Sequence, residues 1–182
     1  MSTFEPVADL RSAALRAYER GRLGGALARG AGALVLALPA WLACGRTPIA
    51  AACLFAFAAT VAAARYIGRE LERGAQAGVI AGILPCLFPA VLRLFDPDLC
   101  DILFARGPWF CAATGIVAGV ILGFRSRAAS GAAFWATAIL TLVLAATLGC
   151  IPAGAMGFLG LAIGVVAGGV PALAARRISS QS

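Results

Sequence analysis

The sequence contains no histidine, and only 13% of its 182 residues are charged. Without histidine it lacks the commonest general base, the commonest transition-metal ligand and the usual haem axial ligand. It also contains no lysine, so all 15 basic residues are arginines. A soluble domain carries about a quarter charged residues, so this composition leaves no room for a separate soluble domain beside an apolar one. The sequence has no paired carboxylates, no nucleophile-plus-base arrangement, no phosphate-binding glycine loop and no CxxC. No cofactor is expected, no specific metal-ligand spacing is present, and the only enzymatic chemistry left open is thiol–disulfide exchange.

What is present is apolar. The chain is 62% hydrophobic, with a mean hydropathy of +0.93. Six stretches, near 30–45, 48–65, 75–93, 109–124, 131–149 and 153–173, have interiors free of formal charge. Charge is expensive in hydrocarbon, so runs of this length read as spans. The expected fold is all-α: a polytopic membrane helix bundle with six transmembrane helices and a short cytoplasmic N-terminal helix. The expected organisation is an amphipathic N-terminal segment over 1–29, a transmembrane domain over 30–174 and a tail over 175–182. The first span is short, and Arg29 is expected to snorkel beside it. The acidic residues Glu5, Asp9 and Glu19 precede it, unlike a cleaved signal peptide. With the N-terminus inside, twelve arginines fall on the inner side and only Arg46, Arg93 and Arg106 on the outer. This asymmetry predicts cytoplasmic termini in a bacterial inner membrane, the bacterial source being inferred from the Ala, Arg and Gly bias. The formal charge of +7 is then a topology signal, and no nucleic acid is expected as a partner.

Glycine recurs every four residues in three spans: Gly74, Gly78 and Gly82; Gly115, Gly119 and Gly123; Gly160, Gly164 and Gly168. That spacing puts each trio on one helix face, where small residues let helices approach closely. Spans 3, 4 and 6 are expected to meet along these faces, with a homo-oligomer or a docking face for another membrane protein as the sharper alternative. Pro85 and Pro89 predict a kink in span 3.

All six cysteines fall in the outer half of this topology. Three readings stay open. Cysteine is a small apolar filler, which suits Cys53. Cys100–Cys111 and Cys44–Cys150 are candidate disulfides. Alternatively, Cys44, Cys86, Cys100, Cys111 and Cys150 supply a thiol site that senses oxidant or soft metal.

Residues 9–29 read as a helix capped by Asp9, with charge pairs among Arg16, Glu19, Arg20 and Arg22. It either lies on anionic lipid or docks a cytoplasmic protein, with Arg16, Tyr18, Arg20 and Arg22 as the candidate contacts.

From Arg106 onward, GPWFC opens span 4, RSR follows it, span 5 ends in LGCIP and a last span leads to ARR. This layout resembles the six-span bacterial membrane anti-sigma family, negative regulators of sigma factor of the NrsF type. The resemblance implies signal-sensing thiols at Cys111 and Cys150 and a sigma-binding segment over residues 9–29. The family's histidine in the last span is missing here. Separately, LPCLFPA around Cys86 resembles the proline–cysteine element of membrane thiol–disulfide carriers of the cytochrome-biogenesis type. The expected function is an inner-membrane regulator whose outward thiols sense redox state or soft metal and whose N-terminal helix binds a cytoplasmic partner. A thiol–disulfide carrier and a small permease or assembly subunit are the alternatives.

Overall fold

The structure, a computed structural model, describes residues 5–44, 47–96, 98, 102, 108–126, 131–150 and 154–179. Among the described residues the six long helices are α1 (Glu5–Cys44), α2 (Pro48–Ile67), α3 (Arg69–Phe95), α4 (Pro108–Arg125), α5 (Ala132–Cys150) and α6 (Gly154–Ser179). No strand occurs among the described residues. Five helices are long and apolar enough to cross a membrane; α4 is a shorter apolar helix. Their outward faces carry Val35, Phe55, Leu140, Leu159, Ile163 and Val166. Exposed apolar side chains on every flank suit a lipid solvent, not water.

The N-terminal helix and the first span are one element. α1 runs unbroken for 40 residues, about 60 Å. Pro6 stands in its first described turn, where a missing N–H costs nothing. Asp9, expected as the cap, lies inside the helix. No proline interrupts the stretch until Pro39, so nothing in the sequence ends the helix at the membrane boundary.

α2 starts at an N-cap, where Thr47 Oγ1 accepts from Ala50 N–H at 3.2 Å and Pro48 fills the first turn. α2 and α3 are separated by Gly68 alone. Its N–H donates to the Ala64 carbonyl at 3.3 Å, and its carbonyl accepts from Glu72 N–H at 3.0 Å. One residue thus ends one helix and begins the next. Gly154 opens α6 at φ +61°, a conformation that side chains with a Cβ rarely adopt.

The core is built mainly of alanine, which lets helices lie close. Ala33, Ala37 and Ala40 of α1 join Leu54 and Phe57 of α2 around Cys86 of α3 and Leu148 of α5. A second cluster places Ala77 and Ala81 of α3 against Leu122 of α4 and Leu142 of α5. The most extensive helix pair is α4 with α6, followed by α3 with α5 and α1 with α2. α6 meets α5 only slightly, so α4 is its main attachment. Phe88 stacks on Phe110 at 5.0 Å and ties α4 to α3.

The expected meeting of spans 3, 4 and 6 is rearranged. Gly115, Gly119 and Gly123 of α4 lie against α6 near Leu161, Val165 and Ala172. Gly164 and Gly168 of α6 close on Ala112 and Ile116 from the other side. Gly74, Gly78 and Gly82 of α3 instead face Phe134, Thr141 and Ala145 of α5. Both pairs run parallel, because the up-and-down path aligns helices two apart in sequence. These glycine faces are therefore filled within the chain. Gly160 is buried on α6.

α3 continues through both prolines, and Pro85 and Pro89 are buried. Pro89 has no N–H to give the Pro85 carbonyl. Gly149 of α5 packs directly on that carbonyl, where any side chain would collide. Span threonines bond their own helix: Thr60 to Ala56 O at 2.7 Å, Thr137 to Ala133 O at 2.7 Å and Thr141 to Thr137 O at 2.6 Å. Each hydroxyl is thereby satisfied without a partner from another helix.

Candidate functional site

The one-residue turn at Gly68 brings the end of α2 beside the start of α3, and α1 passes both. Three charged side chains meet there. Arg65 donates to Glu72 Oε2 at 2.7 Å, and Arg29 lies 3.3 Å from Glu72 Oε1. Gln76, one turn further, donates to Glu72 Oε1 at 3.4 Å. Glu72 is only 15% exposed, whereas Arg29 and Arg65 are 51% and 45% exposed. One enclosed carboxylate therefore anchors two half-exposed guanidinium groups from two other helices.

Two cavities adjoin this triad and share Arg65 and Glu72. The first, about 460 Å³, runs between α1, α2 and α3 along Gly32, Ala33, Leu36, Val61, Val79 and Ile80, with Arg29, Arg65, Glu72 and Gln76 at one end. The second, about 420 Å³, is polar and lined by Tyr18, Arg22, Arg65, Tyr66, Arg69 and Glu72. Arg22 stands 5.7 Å from the Tyr18 ring and 4.8 Å from the Tyr66 ring. Its Nη2 also donates to the Tyr66 carbonyl at the end of α2. Four guanidinium groups thus gather around one carboxylate. Glu70 does not belong to the group, because its Oε2 lies beside Gly131 at the start of α5.

Of the N-terminal candidates, Tyr18 and Arg22 belong to this constellation. Arg16 donates to Ser12 Oγ at 3.2 Å, and Arg20 is exposed on the same helix. Residues 5–21 extend past the Arg22–Tyr66 contact by about 25 Å, and Leu10, Leu15 and Tyr18 are exposed there.

The thiols do not converge among the described residues. Cys86 is 1% exposed within the α1–α2–α3–α5 cluster. Cys111 is 0% exposed beside Ala146 and Leu161. Cys53 is half-buried on α2 and carries a free thiol. Cys100 and the side chains of Cys44 and Cys150 lie outside the described residues, so both candidate disulfides do as well. No group of three or more metal-ligating side chains occurs among the described residues.

Sequence reasoning missed Arg29, Arg65, Tyr66, Arg69, Glu72 and Gln76 as a group. By sequence alone, Arg65 and Arg69 speak only to orientation. The available signal was a carboxylate in an arginine-rich turn, with Arg65 and Glu72 seven residues apart across one glycine. Comparison with protein-family models, curated proteins and solved structures finds no match to this chain.

Proposed function

We propose that this chain is a multi-pass regulator of a bacterial inner membrane, with six spans and both termini on the cytoplasmic side. α4, with 18 residues, reaches about 27 Å, close to the hydrocarbon thickness, and it lies along α6. The arginine asymmetry supports the orientation.

In this reading the N-terminal arm of α1 docks a cytoplasmic protein. By the layout of the last three spans, that protein is a sigma factor. The observation that carries the reading is the unbroken α1. Arm and span form one stiff rod, held to the α2–α3 turn by Arg22 on Tyr66 and by Arg29 on Glu72. A shift in the bundle is transmitted along such a rod without a hinge to absorb it. The outward signal enters at thiols. Cys86 and Cys111 have almost no exposed surface, and a thiol without access reacts slowly. The sensing role therefore falls to Cys44, Cys100 and Cys150, with the half-buried Cys53 as a further candidate.

The experiment is co-purification of the full chain with sigma factors from its host, before and after treatment of cells with an oxidant. A sigma factor that is retained by the wild type, released on oxidation and lost in a Leu10→Asp/Tyr18→Ala variant supports the reading. Gly25→Pro breaks the rod by removing an intrahelical donor. It is expected to leave sigma binding intact and abolish the response to oxidant. Absence of any sigma factor from the wild-type complex overturns the proposal.

A further inference from the structure

The two joined cavities have opposite chemistry and share their boundary. One end presents the guanidinium groups of Arg22, Arg65 and Arg69, two tyrosines and a single carboxylate, with Arg29 at the boundary on the other side of Glu72. Beyond Arg29, Arg65, Glu72 and Gln76 the lining becomes apolar for about 6 Å, along Gly32, Ala33 and Leu36 on α1, Val61 on α2 and Val79 and Ile80 on α3. Each volume lies within the range of small-ligand sites. A soluble anion fills only the polar half and leaves the slot empty. An apolar molecule fills only the slot and leaves the excess positive charge unanswered. An amphiphile with an anionic head and a hydrocarbon chain satisfies both.

The geometry points to a site for an anionic phospholipid of the leaflet at the arginine-rich end of the bundle. Its phosphate lies among Arg22, Arg65 and Arg69, and one acyl chain occupies the slot between Gly32, Leu36 and Val79. Arginine suits phosphate because its planar fork donates two parallel hydrogen bonds. Basic recesses between spans at the headgroup level select anionic lipid over zwitterionic lipid. Glu72 holds Arg29 and Arg65 in place without neutralising the cluster. Gly32 keeps the slot open: a Cβ there would meet nothing within 4 Å. This inference is independent of the regulator reading, since it concerns lipid and not the arm's protein partner.

The test uses the full chain in a neutral detergent, with phosphatidylglycerol or phosphatidylcholine of the same acyl length added, and bound lipid counted by native mass spectrometry. The wild type is expected to hold phosphatidylglycerol about tenfold more tightly than phosphatidylcholine. Gly32→Leu fills the slot and weakens phosphatidylglycerol binding about tenfold. Val79→Phe fills the slot from the opposite wall and carries the same expectation if Gly32→Leu does not fold. Arg69→Gln weakens phosphatidylglycerol binding more than phosphatidylcholine binding and so reduces the preference between the two lipids. Millimolar inorganic phosphate is expected not to displace the lipid. Equal retention of both lipids by the wild type overturns the inference. So does unchanged phosphatidylglycerol binding in both slot-filling variants that keep wild-type helicity. Displacement by inorganic phosphate alone would reassign the polar cavity to a free anion and overturn the lipid site.

Discussion

In the α4/α6 pair, glycines from both helices meet backbone on the opposite side. In the α3/α5 pair, the glycines of one helix receive threonine and alanine from the other. Gly119 faces Val165 O and Gly169 N, while Gly168 faces Ile116 O in return. Gly74 and Gly78 make room for Thr137 and Thr141 Oγ1, as well as for the Phe134 and Ala138 carbonyls. The same four-residue spacing therefore yields two kinds of contact. Where a glycine meets the other helix's backbone, backbones touch, and the gain comes from dispersion and Cα–H···O contacts. Where one partner carries Thr or Ala, the glycine is a socket for a side chain. The first kind has nothing that can yield to a change. The second has side chains that can be trimmed.

The largest effect is expected from Gly119→Ala. Its Cβ would stand 2.8 Å from Gly169 N and closer still to Val165 O, all backbone. No rotamer relieves this, so the helices must separate. The loss should reach about 3 kcal/mol, the upper end of overpacking. It would be read as a fall in the thermal midpoint in detergent. No single side-chain truncation on α6 should restore it. Because α6 is attached mainly through α4, protease sensitivity of α6 should rise as well.

Gly82→Ala is expected to cost less, about 1–2 kcal/mol. The obstacle is the Ala145 side chain, 2.7 Å from the new Cβ, and the next atoms are 3.8 Å away. Ala145→Gly should therefore rescue it, a coupling that a double-mutant cycle measures. Failure of that rescue would show that the two interfaces do not differ in the way the contacts indicate. Gly123→Ala offers the matching case across α4/α6. It meets Ala172 Cβ at 2.6 Å but also Gly169 O at 3.2 Å, so Ala172→Gly should rescue it only in part.

The all-helical architecture, the apolar flanks and the use of glycine for close approach were legible in the sequence, because each depends on composition and on spacing within one helix. The pairing was not. Gly74, Gly78 and Gly82 carry no information about whether their partner is another glycine ladder or the Thr137–Thr141 face. That choice depends on the up-and-down path through the whole chain. α1 runs through residue 29 for a local reason: Arg29 does not end a helix, and its charge finds Glu72 instead of water alone. The candidate site was hidden by the same arithmetic that gave the orientation. Counting arginines per segment treats Arg65 and Arg69 as independent of Glu72, whereas the turn at Gly68 stacks them in space.

Glu72→Gln tests how far that triad supports the bundle. It keeps the shape, removes the charge and leaves Arg29 and Arg65 facing each other. Both arginines are about half exposed, so solvent screens much of the interaction, and the cost should be only about 0.5–1 kcal/mol. Raising the salt from about 0.05 M to about 0.5 M should shrink the difference between wild type and variant, as expected for a screened pair. A loss as large as that of Gly119→Ala would mean that charge, and not backbone contact, holds the molecule together.

Gly24→Ala makes the same chemical change as Gly119→Ala and is expected to have the opposite sign. Gly24 lies in the arm of α1, and a Cβ there would meet nothing within 4 Å. No positive φ is recorded there, so alanine fits the backbone already present. In a helix interior alanine is favoured over glycine by about 0.8–1.0 kcal/mol, and part of that gain survives at an exposed position. Helicity of the arm measured by circular dichroism, or slower amide exchange over residues 10–24, should therefore increase. The midpoint of the bundle should stay where it is, because neither Gly24 nor any residue before it belongs to the packed clusters. A lowered midpoint would reveal that residue 24 is covered by something outside this chain. Glycine in the arm would then be doing what Gly119 does inside the bundle, admitting a partner's backbone.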